Sequence, residues 1–272
     1  MVATYLDRIL AVHRTTAAAD QRRLANLLDE ARSCPPARGF TAAIGARASG
    51  ELAVIAEVKR RSPSRGDLAA DLDPAEVATD YAAGGASCLS VLTDFEWFGG
   101  SPEDLMAARS ASGLPVLRKD FTVDARDVCD ARLMGADAVL LIAAALDDAE
   151  LGDFAALASE IGLDTLVEVH DEAELERALL VGAALVGVNQ RNLSTFEVDT
   201  DRATRVAAAI PSTVCSVAES GISGPGEAAV LAAAGYDAVL VGESVVTSVD
   251  RRAAVSALRR SPLGPPDGGG GE

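Results

Sequence analysis

Lysine and glutamate close a series of short apolar runs along this chain. Ile55-Ala56-Glu57-Val58-Lys59 ends one run, Leu117-Arg118-Lys119 another, and Leu166-Val167-Glu168 a third. Gly187-Val188-Asn189, Ala218-Glu219-Ser220-Gly221 and Val241-Gly242-Glu243-Ser244 follow the same plan. Ammonium and carboxyl groups gathered at one rim suit proton transfer to and from a bound molecule. Charges in such a position are costly unless paired or used. Glu57 and Lys59 fall on one face of their run, because strand side chains alternate with period two.

The elements that must hold these groups repeat. Gly85, Gly135, Gly182 and Gly235 each lead into a short apolar run, as do Gly113 and Gly162 over shorter turns. A glycine there fits the left-handed residue that ends a helix, and the run after it fits a strand buried on both faces. Lys119 and Glu168 each lie six residues past their turn glycine; Asn189 and Gly242 lie seven past theirs. Helix starts follow: Asp73-Pro74-Ala75-Glu76, Ser101-Pro102-Glu103-Asp104 and the capping box Asp171-Glu172-Ala173-Glu174. Strands are expected near 52–58, 88–92, 115–119, 138–142, 165–169, 185–189, 214–218 and 238–242. Alternating strands and helices allow a closed (β/α)8 barrel or an open doubly wound sheet. Eight near-equal units, and Lys59-Arg60-Arg61-Ser62 where a G-x-G-x-x-G would stand, favour the α/β TIM barrel.

Residues 1–50 read as helix, loop, helix, broken at Cys34-Pro35-Pro36, and form an N-terminal helical extension. The catalytic barrel takes 51–260, and the Pro- and Gly-rich 261–272 read as a disordered tail. The chain has 272 residues, a size that suits one such barrel, and its net charge of −17 argues against nucleic acid and anionic membranes. A local basic pocket can still take a small anion. No apolar stretch reaches membrane-spanning length and no signal peptide opens the chain, so the cytoplasm is expected. The four cysteines read as reduced thiols, and the two isolated histidines offer no metal site. The expected partner is a small phosphorylated molecule, with the chain a monomer or weak homodimer. Gly221 and the Gly242-Glu243 pair sit after the seventh and eighth strands, where this architecture cradles phosphate on backbone N–H groups. There the backbone, and not the Glu243 side chain, should face the anion.

Ile55-Ala56-Glu57-Val58-Lys59-Arg60-Arg61-Ser62-Pro63-Ser64 closely resembles the first-strand signature of the indole-3-glycerol phosphate synthase family. Leu92-Thr93-Asp94 with Phe98-Gly99-Gly100-Ser101, Leu117-Arg118-Lys119-Asp120-Phe121 and Leu166-Val167-Glu168-Val169 extend the likeness. Gly187-Val188-Asn189-Gln190-Arg191-Asn192-Leu193 and Glu219-Ser220-Gly221-Ile222 complete it, over residues 50 to 246 in family order. The resemblance implies a tryptophan-biosynthetic carboxy-lyase acting without metal or organic cofactor. It closes a ring in 1-(2-carboxyphenylamino)-1-deoxyribulose 5-phosphate and expels carbon dioxide and water.

By the same resemblance Lys119 is the general acid for ring closure, a role suited to a lysine whose pKa burial or nearby cations lower. Lys59, paired with Glu57, binds the substrate carboxylate or acts in dehydration. Glu168 exchanges protons in dehydration, a task Glu57 could share. Asn189 and Arg191 hold hydroxyl and carboxylate groups, with Glu219 and Ser220 near the reacting centre. Ser62, Gly221 and Gly242 take the phosphate, and Phe98 and Phe121 wall the aromatic ring. His170 is expected to point away from Glu168 in a structural role, and Gln190 is given none. Two other readings compete: a phosphate-binding barrel that forms a Schiff base on Lys119 or Lys59, and a barrel that has become a binding scaffold. The complete set of rim residues speaks against the scaffold.

Overall fold

The computed structural model describes residues 4–48, 50–63, 65–192 and 195–259. The tail expected at 261–272 lies outside the described residues. Eight parallel strands close into a barrel: β1 Ala53–Val58, β2 Cys88–Leu92, β3 Val116–Lys119, β4 Ala138–Ile142, β5 Asp164–Val169, β6 Leu185–Asn189, β7 Cys215–Glu219 and β8 Ala238–Val241. Each strand pairs with its neighbours in sequence, and β1 closes the ring on β8. The expected strands are recovered to within a residue at either end.

The alternation of side chains splits the core in two. Ile55, Leu117, Leu166, Leu185, Val217 and Leu240 point into the barrel. Val54, Ala56, Val58, Val167, Val169, Val186 and Val188 point outward, against the helices. The turn glycines behave as their positions require: Gly113 ends the helix Pro102–Ser112 at φ 71° and Gly162 stands at φ 77°. Asp73 and Ser101 cap their helices through backbone N–H groups, as expected. Asp171 caps too, but the reciprocal half of its capping box is missing: Glu174 reaches back to His170 instead.

Three helices precede the barrel: α1 Tyr5–Ala19, α2 Leu24–Arg32 and α3 Phe40–Gly45. The third was not expected. It is only six residues long, and one apolar pair, Phe40 and Ile44, is too little periodicity to announce a helix. Both side chains are fully buried in the interior cluster with Ala53, Cys88 and Ala138, residues near the strand starts. Thr41 N–H donates to Asp164 at the start of β5, so α3 stoppers the floor of the barrel. At the other end α1 lies over the mouth, with Leu6 and Ile9 in the same interior cluster. Arg14 ties it to Glu150 and to the Ala145 carbonyl, both beyond β4. His13 ties it to Asp94 beyond β2 at 3.0 Å.

His13, Asp94 and Asp120 form a compact acid and imidazole cluster. Its oxygens are already engaged: Asp94 accepts from the Trp97 N–H and Asp120 from Arg118 at 3.0 Å. The cluster therefore reads as a tie between α1 and the barrel. Cys88 and Cys129 are buried free thiols, while Cys34 and Cys215 are partly exposed. No described helix is long and apolar enough to cross a membrane.

Candidate active site

Two residues beyond four of the inward apolar side chains, the same parity brings a polar one to the C-terminal rim. Ile55 is followed by Glu57 and Lys59, Leu117 by Lys119, Leu166 by Glu168, and Val217 by Glu219. Strand register sets them level: Asn189 pairs with Glu219, Leu92 with Lys119 and Ile142 with Glu168. Lys119 Nζ donates to Glu168 Oε2 at 2.7 Å and to Glu219 Oε2 at 2.9 Å, a bridge between β3, β5 and β7. Asn189 also acts on Glu168, favouring its ionised form. Lys59 Nζ meets Glu57 Oε1 at 2.5 Å, and Ser90 donates to the other Glu57 oxygen at 3.4 Å.

Two glycines make room for this cluster. A Cβ on Gly187 would stand 2.0 Å from Glu219 Oε1, and one on Gly242 would stand 2.4 Å from Glu57 Oε1 and 3.0 Å from Lys59 Nζ. Gly242 thus has a second task beside the one its loop position suggested. Gly242→Val is expected to break the Glu57–Lys59 pair and lower kcat/KM by about 100-fold or more, a misplacement effect near reacting groups. A retained fold by circular dichroism with near-normal kcat/KM would contradict this.

The charge balance differs from expectation at one point. Burial pulls the Lys119 pKa down, yet the carboxylates of Glu168, Glu219 and Glu57 outweigh burial and raise it above the ordinary lysine value. The expected lowering fails because the neighbours of Lys119 are anions. Glu168 is buried, which alone would raise its pKa; Lys119 and His170 hold it well below the carboxylate range. Glu219 goes the other way, pushed up to about 7 by burial and by Glu168 and Glu57, against the pull of Lys119. Glu219 is therefore partly protonated near neutral pH. That relieves a cavity that would otherwise hold more carboxylate than ammonium.

All the residues singled out from the sequence line one cavity of about 530 Å³, the size of a small-molecule site. On one side stand Phe98 and Phe121, with ring centroids 6.4 Å apart. On another is the loop after β1, a two-residue antiparallel ribbon in which Ser62 faces Gly66. A forked Arg60–Asp104 pair pins that loop to the helix Pro102–Ser112. Ser62 Oγ is buried with no hydrogen-bond partner. Ser220 and Gly221 both have positive φ, 67° and 71°. For a serine that is strained backbone, of the kind found at ligand sites. Glu243 turns towards Arg65, 3.4 Å away, which leaves the backbone of that turn to the cavity. Arg191 folds its guanidinium onto the Phe196 carbonyl at 3.1 Å.

Some contributors were not legible in the sequence. Tyr5, Leu6 and Ile9 of α1 roof the cavity, and Phe196 joins them. Gln190 is buried, and its Nε2 donates to the Ser220 carbonyl at 2.7 Å, bracing the strained turn. His170, expected to point away, stands with its Nε2 3.7 Å from Glu168 Oε1. Positions 168 and 170 share parity, so the ring follows the same side as it leaves β5.

A family model described as indole-3-glycerol phosphate synthase matches residues 6–258. The chain is 49% identical to the indole-3-glycerol phosphate synthase of Polaromonas sp. (strain JS666 / ATCC BAA-500), over 93% of this chain and 97% of that one. It is 49% identical to the protein of the same name from Paenarthrobacter aurescens (strain TC1), over 87% and 88% of the two chains. Among solved structures, thiamine phosphate pyrophosphorylase from Pyrococcus furiosus is similar at TM-score 0.57 and 18% identity, covering 76% of this chain and 93% of that one. The N-acetylmannosamine-6-phosphate 2-epimerase of Clostridium perfringens is similar at TM-score 0.56 and 14% identity, over 72% and 87%. Those two likenesses speak for the barrel fold alone. The match along nearly the whole sequence, together with the rim it spans, makes this chain a member of the indole-3-glycerol phosphate synthase family.

Proposed function

We infer that this cavity is where the chain carries out the family's reaction. It converts 1-(2-carboxyphenylamino)-1-deoxyribulose 5-phosphate to indole-3-glycerol phosphate, carbon dioxide and water. The observation that carries the reading is Lys119, charged and held between two glutamates at the head of a cavity with a buried, unpartnered Ser62 hydroxyl at its side.

As the aromatic carbon attacks the ketone, charge builds on the ketone oxygen. Lys119 supplies the proton. Its raised pKa means that it is fully protonated when substrate arrives, and it releases the proton only as the oxygen becomes alkoxide-like. Loss of carbon dioxide from the attacking ring carbon then restores the aromatic ring and leaves a carbinol at the former ketone carbon. Dehydration removes its hydroxyl and a proton from the adjacent carbon. Glu168, ionised in the resting site, takes that proton; Lys59, paired with Glu57, holds the substrate carboxylate or assists departure of the hydroxyl. Asn189 and Arg191 orient hydroxyl and carboxylate groups, Arg191 by its planar fork. Glu219 and Ser220 lie beside the reacting centre. Phe98 and Phe121 flank the aromatic ring. Ser62, Gly221, Gly242 and the backbone at Glu243 take the phosphate. The enzyme works in the cytoplasm as a monomer or weak homodimer, with no nucleic acid or membrane partner.

A Schiff-base mechanism needs a neutral amine, and the carboxylates around Lys119 keep it protonated. Borohydride added with substrate is expected to trap no adduct on Lys119 or Lys59; a covalent adduct would overturn the acid–base reading. The direct test is incubation with the carboxyphenylamino ribulose phosphate. Indole fluorescence should rise with stoichiometric release of carbon dioxide, and absence of product would refute the assignment. The same assay should run unchanged in a strong chelator, and inactivation by chelation would contradict metal-free chemistry.

Ser62→Ala isolates the phosphate side. A hydrogen bond to a charged group is worth about 1.5–3 kcal/mol, or roughly 10- to 100-fold in KM. KM should rise by that order with kcat changed little. An unchanged KM would remove Ser62 from the phosphate site.

A further inference from the structure

Behind Glu168 stands His170, a residue the reaction just described does not use. Its Nε2 is buried, has no hydrogen-bond partner, and lies 3.7 Å from Glu168 Oε1. Its backbone N–H and its Nδ1 both meet a single atom, Glu174 Oε2, at 2.8 and 3.0 Å. That contact is why Glu174 does not complete its capping box. A carboxylate only accepts hydrogen bonds, so Nδ1 carries a proton whenever the contact exists. The position that gains or loses the second proton is then Nε2, which faces Glu168.

The other charged groups around the ring are Asp171, Glu172, Arg202 and Arg205, which border with it a side depression of about 370 Å³. Arg202, from the helix Asp201–Ala207, bonds the Asn189 carbonyl and opposes protonation of the ring. Burial opposes it more strongly, yet Glu174 and Glu168 outweigh both and raise the His170 pKa above its ordinary value.

Two cations act on Glu168, Lys119 from the cavity and His170 from behind. Under the mechanism above, Lys119 gives its proton away at ring closure, before Glu168 is needed. A buried carboxylate that loses its cation is driven towards the neutral acid. A neutral Glu168 cannot accept the proton released in dehydration. We propose that His170 is a positioning residue for Glu168: its imidazolium, oriented by Glu174, keeps the Glu168 carboxylate ionised through the step at which Lys119 is discharged.

This rests on the role assigned to Glu168, and the test separates the two. His170→Asn and His170→Gln keep a polar group against Glu174 but remove the cation. Glu168 then needs a higher pH to stay ionised. The acid limb of kcat should therefore move up by about one pH unit or more, with KM changed by less than about twofold. Imidazole added to His170→Ala should move the limb back towards that of the wild type. Glu174→Gln leaves the ring in place while weakening its charge, and should shift the limb the same way by less. A uniform fall in kcat with an unmoved limb in the Asn and Gln variants would overturn the proposal, since lost packing lowers the rate alike at every pH. Glu168→Gln is the control. If it is fully active, the reading of Glu168 itself fails; if it is inactive while the His170 variants keep their limb, only the His170 proposal falls.

Discussion

Lys119→Met removes ring closure and leaves the barrel folded. A positioned general acid contributes about 10²–10⁴-fold, and kcat should drop by at least about 10³-fold because no other ammonium bridges Glu168 and Glu219. Methionine fills similar volume without a charge. What remains is two buried carboxyls, both previously bonded to one nitrogen. Removing one partner of a buried pair is normally costly, about 3–5 kcal/mol. Here the loss should fall below that range, because burial and Glu168 already push the Glu219 pKa up and let it take up a proton. The sign with pH follows. A carboxyl raised in the folded state destabilises it when ionised, so Lys119→Met should lose most stability at alkaline pH and regain it as pH falls. Urea unfolding at two pH values measures this. A variant with kcat within tenfold of wild type would remove Lys119 from the first proton transfer.

Glu168→Gln should stop the reaction later. The amide keeps the shape and can still accept from Lys119 through its oxygen, but it cannot take a proton. The rate of indole formation should fall by about 10²–10⁴-fold. Ring closure and loss of carbon dioxide precede the blocked step, so a single turnover should release carbon dioxide without indole fluorescence. Lys119 meanwhile loses one of the carboxylates that raise its pKa, so the alkaline limb for ring closure should move down. If carbon dioxide and indole appear together at the wild-type rate, Glu168 is not the base. If neither appears, Glu168 acts already in ring closure.

Much of this was legible in the chain itself. The turn glycines announced where helices end, and the apolar runs after them announced buried strands. Period two then fixed which residues face inward, so Glu57, Lys59, Lys119, Glu168, Asn189 and Glu219 could be assigned to one rim without coordinates. The same rule, applied with care, also puts His170 on the side of Glu168. The third helix was invisible because a six-residue segment behind two prolines has too few apolar positions to show a period.

The sequence by itself determined the repeat, the inward parity of each strand and the family signature, because these depend on residues only a few positions apart. The tertiary structure alone decided what those residues meet. Lys119 and Glu219 are 100 positions apart in the chain, yet hydrogen-bonded. The Lys119 pKa is raised, and not lowered, because barrel closure surrounds it with carboxylates from three other strands. Gly187 and Gly242 matter for the space that Glu219 and Glu57 occupy, Gln190 for the turn it braces, and α1 and α3 for closing the two ends. Electrostatic fields and close packing sum over elements distant in sequence, and only the closed barrel brings those elements together.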